Sequence, residues 1–151
     1  MTEDLSRDNL FFTGYLCGRN LMAIKIEISS DKVASGKAAA EHGARLIREA
    51  IAKNGRANII VATGASQFET LKELVKEDIA WEKVTAFHLD EYIGLPITHA
   101  ASFRQYLWDR FHKLLPRPLK AFHYVAGDED PEAECARLGK LIAEAPIDVC
   151  F

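Results

Sequence analysis

Two short stretches of this sequence hold the residue types for chemistry. The first is Phe87-His88-Leu89-Asp90-Glu91-Tyr92-Ile93-Gly94-Leu95-Pro96, where an apolar run stops at two adjacent carboxylates and then turns. The second is Thr63-Gly64-Ala65-Ser66, which follows another apolar run. A carboxylate facing a cleft can move a proton at a carbon next to a carbonyl, a task that depends on positioning and shielding from water. A small-residue turn that opens a helix can offer backbone N–H groups, with the hydroxyls of Thr63 and Ser66, to an anion, which suits a phosphate. The turn is neither G-x-G-x-x-G nor a Walker loop, which disfavours dinucleotides and nucleoside triphosphates. Each stretch also has a plainer reading. Adjacent carboxylates after a strand are often a solvated turn, and the second stretch alone is a tight turn before a capped helix. Consecutive residues of extended chain point oppositely, so one acid can face the cleft while the other anchors the loop; Asp90 is the candidate for the cleft.

Both stretches need strands in front of them and a sheet to bring them together. Val84 to Leu89 and Ala57 to Ala62 are short, largely apolar and rich in β-branched or aromatic residues, as buried strands are. Upstream, Ile24-Lys25-Ile26-Glu27-Ile28 alternates apolar and charged residues, which predicts a strand with one wet face. Val33, Ala40, Ala44, Ile47 and Ile51 recur at helical spacing from about Asp31 to Asn54, and Asn54-Gly55 suits a left-handed C-cap. Ser66-Gln67-Phe68-Glu69 has capping-box spacing and predicts a helix to about Asp78, with Phe68, Leu71, Leu74 and Val75 inward. Ser102-Phe103-Arg104-Gln105 repeats that pattern ahead of a core stripe of Phe103, Leu107, Phe111 and Leu114, and the helix ends at Leu115-Pro116-Arg117-Pro118. Ala121 to Val125 reads as a strand, Asp130-Pro131 as the start of a helix bearing Cys135, Leu138, Leu141 and Ile142, and Ile147 to Phe151 as a further strand.

Repeated strand and helix units predict an α/β fold: three layers, a mostly parallel sheet and helices on both faces, Rossmann-like. Ligands bind such sheets at the carboxyl edge, and successive strands are often neighbours, so the Thr63–Ser66 turn and Asp90–Glu91 should face one cleft. Because the sequence stops on an apolar strand, the domain is expected to be truncated at its C-terminus.

A chain of 151 residues, 48% hydrophobic and 27% charged, suits one globular domain. With a net charge of −3 and a pI near 6.0 it has no basic footprint for nucleic acid or anionic membrane. No run reaches the ~20 apolar residues of a membrane span. Residues 1–21 read as an N-terminal extension before a single domain over 22–151; acidic Glu3 and Asp4 stand where a secretory signal wants positive charge. Cys17, Cys135 and Cys150 are odd in number and form no C-x-x-C pair, which suits a reducing cytoplasm. His88 lacks a third ligand for a metal, so no metal site is expected, and among the histidines only His99, in the loop after the acids, is of interest. Trp81 and Trp108 read as packing anchors rather than sugar platforms.

The run His88-Leu89-Asp90-Glu91-Tyr92-Ile93-Gly94-Leu95-Pro96, preceded by Thr63-Gly64-Ala65-Ser66 and followed by His99-Ala100-Ala101-Ser102-Phe103, resembles the glucosamine-6-phosphate deaminase/isomerase family. The resemblance covers roughly Ile24 to Phe151. It implies conversion of an amino-sugar phosphate to a ketose phosphate plus ammonia, with no cofactor and a small-molecule phosphosugar as the binding partner. Asp90 would then shuttle a proton between sugar carbons 2 and 1, Glu91 would support the site, and Thr63, Gly64, Ala65 and Ser66 would hold the substrate's phosphate. Gln67 and Ala100 depart from the family pattern, which has proline at the start of the helix and often in the later loop. The family's Gly-rich turn, and the histidine and glutamate that assist ring opening, fall after Phe151. The resemblance leaves homo-oligomerisation open. A related 6-phosphogluconolactonase-like hydrolase and a non-catalytic phosphosugar sensor are the rival readings. Tyr92 and Gly94-Leu95-Pro96 favour the amino-sugar branch, and no helix-turn-helix precedes Ile24 to suggest a regulator.

Overall fold

In the computed structural model, residues 26–144 and 146–151 are described. Helix α1 (Lys32–Asn54) is set by its ends: the Asp31 carboxylate accepts from the N–H groups of Val33 and Ala34, and Gly55, at φ 73°, closes the other end by donating to the Ile51 carbonyl. Strand β1 (Ala57–Val61) follows, then a 3₁₀ turn (Ala65–Gln67) and helix α2 (Phe68–Leu74). Strand β2 (Val84–His88) leads to a long loop and helix α3 (Phe103–Arg110). Strand β3 (Ala121–His123), helix α4 (Pro131–Ala143) and strand β4 (Val149–Cys150) complete the order.

The four strands among the described residues form one parallel sheet in the order β3-β2-β1-β4, with Val61 opposite His88 and Ile59 opposite Val149. The steps β1 to β2 and β2 to β3 run in one direction, so right-handed crossovers put α2 and α3 on the same face; α4 runs back to β4 and belongs to the other. The core lies on the first face, where Ile59, Val61, Val84 and Ala86 meet Ala44 and Ile47 of α1, Leu71 and Leu74 of α2, and Leu107 and Phe111 beyond it. Helix α1 lies close on α2 because Gly36 has no side chain: a Cβ there would collide with Glu69 and the backbone of Thr70. Among the described residues, no helix is long and apolar enough to cross a membrane.

Several expectations need correction. Ile26 to Ile28 form no strand: none of the described strands pairs with them, and Ile26 and Ile28 are 77% and 94% exposed. Ile24, Lys25 and the extension over residues 1–21 lie outside the described residues. The Ser66–Glu69 capping box does not form, because Gln67 N–H bonds the Gly64 carbonyl and puts Ser66 inside a 3₁₀ turn rather than at an extended N-cap. Helix α2 also stops at Leu74, short of Asp78. On the second capping pattern Ser102 does accept from Gln105 N–H, but Leu114 is exposed beyond the end of α3. In α4 the predicted apolar stripe is not buried: Cys135 and Ile142 are exposed, Leu138 and Leu141 half-buried, and Glu134 takes the buried place. Trp81 is a core anchor, edge-on to Phe111 at 5.7 Å, whereas Trp108 is about half exposed beside His112.

Candidate active site

The two sequence stretches emerge side by side at the carboxyl edge of the sheet. Leu89 N–H donates to the Val61 carbonyl at 3.3 Å, which extends the β1–β2 ladder by one step, so Thr63 and Asp90 each follow two residues after the paired Val61 and His88. On the other flank, Ala62 N–H donates to the Phe151 carbonyl at 3.3 Å. The Thr63–Ser66 turn is therefore central, between the acid loop and the end of β4. Gly64 takes φ 110° and ψ 169°, a conformation open to glycine and strained for other residues. Ala65 and Ser66 are exposed, and Thr63 and Gly64 half-buried.

The two acids have opposite surroundings. Asp90 is exposed and, among the described residues, has no hydrogen bond or ion pair. The Glu91 side chain is fully enclosed. Its Oε1 accepts from Tyr92 N–H and Phe103 N–H, both at 3.0 Å, and its Oε2 from the Ser102 hydroxyl and Arg104 N–H, both at 2.8 Å. Glu91 thus caps the first turn of α3 from eleven to thirteen residues away, as a carboxylate at a helix N-terminus is suited to do. Burial alone would raise its pKa, but the N–H groups of Arg104, Phe103 and Tyr92 and the Ser102 hydroxyl outweigh that and hold it below the ordinary glutamate value.

Arg104, also buried, ties the loop down. Its guanidinium donates to the Leu95 carbonyl at 2.8 Å, pairs with Asp128 at 2.8 Å, and lies 3.6 Å from Glu91 Oε2. Gly94, at φ 79°, donates to the Gly127 carbonyl at 2.6 Å, while Gly127 has no room for a Cβ against the Tyr92 carbonyl and Glu91 Cγ. The β3–α4 loop is braced in turn by Glu134, which accepts from Ala126 N–H at 2.8 Å. The adjacent Arg137, against the effect of burial, draws the Glu134 carboxyl down to about 2. A mesh of fixed charges and backbone bonds therefore holds the segment bearing Asp90.

Beneath the loop, His88 is 4% exposed. Burial lowers its pKa to about 4, although Glu91 and Asp90 pull the other way, so the ring is neutral at neutral pH. Its Nδ1 accepts from Val125 N–H at 3.4 Å, which assigns the proton to Nε2. His99 Nδ1 accepts from Ala101 N–H at 3.1 Å in the exposed part of the loop.

On the turn side, the Tyr106 hydroxyl of α3 donates to the Gly64 carbonyl at 2.9 Å. Helix α3 thus touches both predicted stretches, Glu91 at its first turn and Gly64 one turn later. Reading the sequence alone singled out Asp90, Glu91 and Thr63 to Ser66 but missed Arg104, Tyr106, Gly127 and Asp128 as partners of the site. Tyr106 and Arg104 fall inside an ordinary amphipathic helix, and only Gly127, as a glycine just past a strand, carries any local signal.

The family described as glucosamine-6-phosphate isomerases/6-phosphogluconolactonase matches residues 30–151. A glucosamine-6-phosphate deaminase of Streptococcus uberis is 35% identical over 104 residues, covering 68% of this chain and 43% of that protein. Its counterpart from Streptococcus pneumoniae serotype 4 is 32% identical over 130 residues, covering 85% of this chain and 52% of that protein. Among solved structures, a monomeric glucosamine-6-phosphate deaminase superposes with a TM-score of 0.70 at 26% identity, covering 80% of this chain and 50% of that one. A 6-phosphogluconolactonase from Shewanella baltica gives 0.69 at 20% identity over 81% of this chain and 53% of the other, a likeness of fold alone. The chain spans about half the length of the relatives it matches.

Proposed function

The chain belongs to the family of glucosamine-6-phosphate isomerases and 6-phosphogluconolactonases, and from that membership we propose that the protein deaminates and isomerises an amino-sugar phosphate of the glucosamine 6-phosphate kind. Asp90 takes the proton from carbon 2 of the open-chain sugar and returns it to carbon 1, leaving an imine at carbon 2. Water adds to that imine and ammonia leaves, giving a ketose phosphate; no redox partner is needed. The Thr63–Ser66 turn takes the phosphate on the N–H groups of residues 64–66 and the Thr63 and Ser66 hydroxyls. Glu91 does not transfer protons; its oxygens are occupied in holding α3 and the loop.

The observation that supports this reading best is the contrast between the acids: Glu91 is enclosed by donors while Asp90, two residues past the end of β2 as Thr63 is past the end of β1, is left open at the edge of the sheet. A group that must accept and release a proton needs that freedom together with a fixed backbone.

The test is to incubate the whole protein with glucosamine 6-phosphate and, separately, with 6-phosphogluconolactone, following ammonia and lactone loss. Ammonia release with an inert lactone supports the reading. Lactone hydrolysis without ammonia favours the hydrolase, and tight binding of phosphosugar with neither reaction favours a sensor.

A further inference from the structure

The Gly64–Ala65 peptide lies at the centre of the anion turn, and side-chain packing does not fix its orientation. Gly64 has no side chain, and a Cβ built there would meet only Ser66 Oγ, at 4.0 Å, so packing does not lock the peptide plane. Its carbonyl is held by hydrogen bonds instead. Gln67 N–H donates to it at 3.1 Å from within the turn, and the Tyr106 hydroxyl donates to it at 2.9 Å from α3, 42 residues along the chain. In a trans peptide the carbonyl and the following N–H point in opposite directions, and the described residues contain no cis bond. Holding the Gly64 carbonyl towards α3 therefore turns the Ala65 N–H away from α3, to the open side of the turn.

The Tyr106 ring has its own supports. It stacks on Phe68 at 5.8 Å and 22°, and the Arg110 guanidinium lies 4.1 Å from the Phe68 ring centre and 5.5 Å from that of Tyr106. The hydroxyl is delivered by a platform that does not depend on the bond it makes.

We propose that Tyr106 is a positioning residue for the anion turn: its hydroxyl fixes the Gly64–Ala65 peptide so that the Ala65 N–H is presented to the phosphate of the substrate. This rests on the reading that the turn holds that phosphate. The same helix carries Ser102, Phe103 and Arg104, which bind Glu91, so α3 sets the spacing between phosphate and proton-transfer acid. Tyr106 touches neither substrate nor reacting atoms; it acts through the backbone of the turn.

Tyr106→Phe removes the hydroxyl and keeps the ring. Titration of the whole protein with glucosamine 6-phosphate and with glucosamine separates the possibilities. A hydrogen bond of this kind corresponds to roughly a 3- to 10-fold loss of affinity, expected for the phosphorylated sugar with glucosamine unchanged. Unchanged affinity for the phosphosugar, or an equal loss for both sugars, overturns the inference. A wild-type protein that binds both sugars equally well overturns the phosphate reading and this inference with it, a result distinct from the others. A second measurement needs no variant. Inorganic phosphate added to the wild-type protein should shift the Ala65 amide resonance in a nitrogen–proton spectrum, and an Ala65 amide that ignores phosphate contradicts the proposal.

Discussion

Replacing Glu91 with glutamine changes one oxygen to NH₂ and leaves the shape intact, so it isolates what the carboxylate contributes. Either orientation of the amide fails. At the Oε1 position the NH₂ confronts the N–H groups of Tyr92 and Phe103, which cannot reverse; at Oε2 it confronts Arg104 N–H and the Ser102 hydroxyl, of which only the hydroxyl can rotate. At best one buried backbone donor loses its partner, the remaining bonds lose their charge assistance, and Arg104 keeps only Asp128 as a counter-ion. Hydrogen bonds to charged groups contribute about 1.5–3 kcal/mol and breaking a buried pair costs about 3–5 kcal/mol, so Glu91→Gln should lose about 3–5 kcal/mol. Urea unfolding with an unchanged m-value measures this. Asp90→Asn is the control: the residue is exposed and without a described partner, so its cost should stay within about 0.5 kcal/mol. A loss below about 1 kcal/mol for Glu91→Gln, or equal losses for the two variants, would refute the division into an anchoring acid and a free one.

Two further outcomes follow from the same surroundings. Because the folded pKa of His88 is depressed to about 4 from an ordinary 6.5, its neutral ring stabilises the fold above pH 6.5, and that contribution is lost as pH falls towards 4, amounting to about 3 kcal/mol. Urea midpoints across that window should fall in the wild type and flatten in His88→Gln; equal slopes would contradict it. Gly64→Ala should cost about 1–3 kcal/mol through backbone strain at φ 110°, since its Cβ would find open space. A melting temperature identical to wild type would mean that the turn leaves this conformation freely.

What could be read in advance was local. The caps Asp31, Gly55, Ser102 and Asp130 act within four residues of themselves, and the strands ending at Val61 and His88 announce themselves by composition. Extended chain alternates its side chains, so opposite surroundings for Asp90 and Glu91 were legible, but which of them is enclosed was not. The failures came where distant chain decides. Ile26 and Ile28 have strand periodicity, yet the described strands pair without them and both side chains stay exposed, because alternation sets a face and not a partner. Ser66 has the right spacing for a cap, but Gly64 draws Gln67 into a tighter turn, with Tyr106 bonding the same carbonyl. Arg104 resembles any charged residue of an exposed helix until Leu95, from the preceding loop, and Asp128, from the loop after β3, close over it. Its role is a property of three segments and is written in none of them.

Asp90 is the group proposed to move the proton, and one comparison tests that role most directly: ammonia release from glucosamine 6-phosphate by the whole wild-type protein and by Asp90→Asn. A positioned general acid–base contributes about 10²–10⁴-fold, so kcat should fall by at least about 100-fold while the variant keeps its phosphosugar affinity and its stability. An active wild type whose Asp90→Asn variant turns over at the same rate would contradict it.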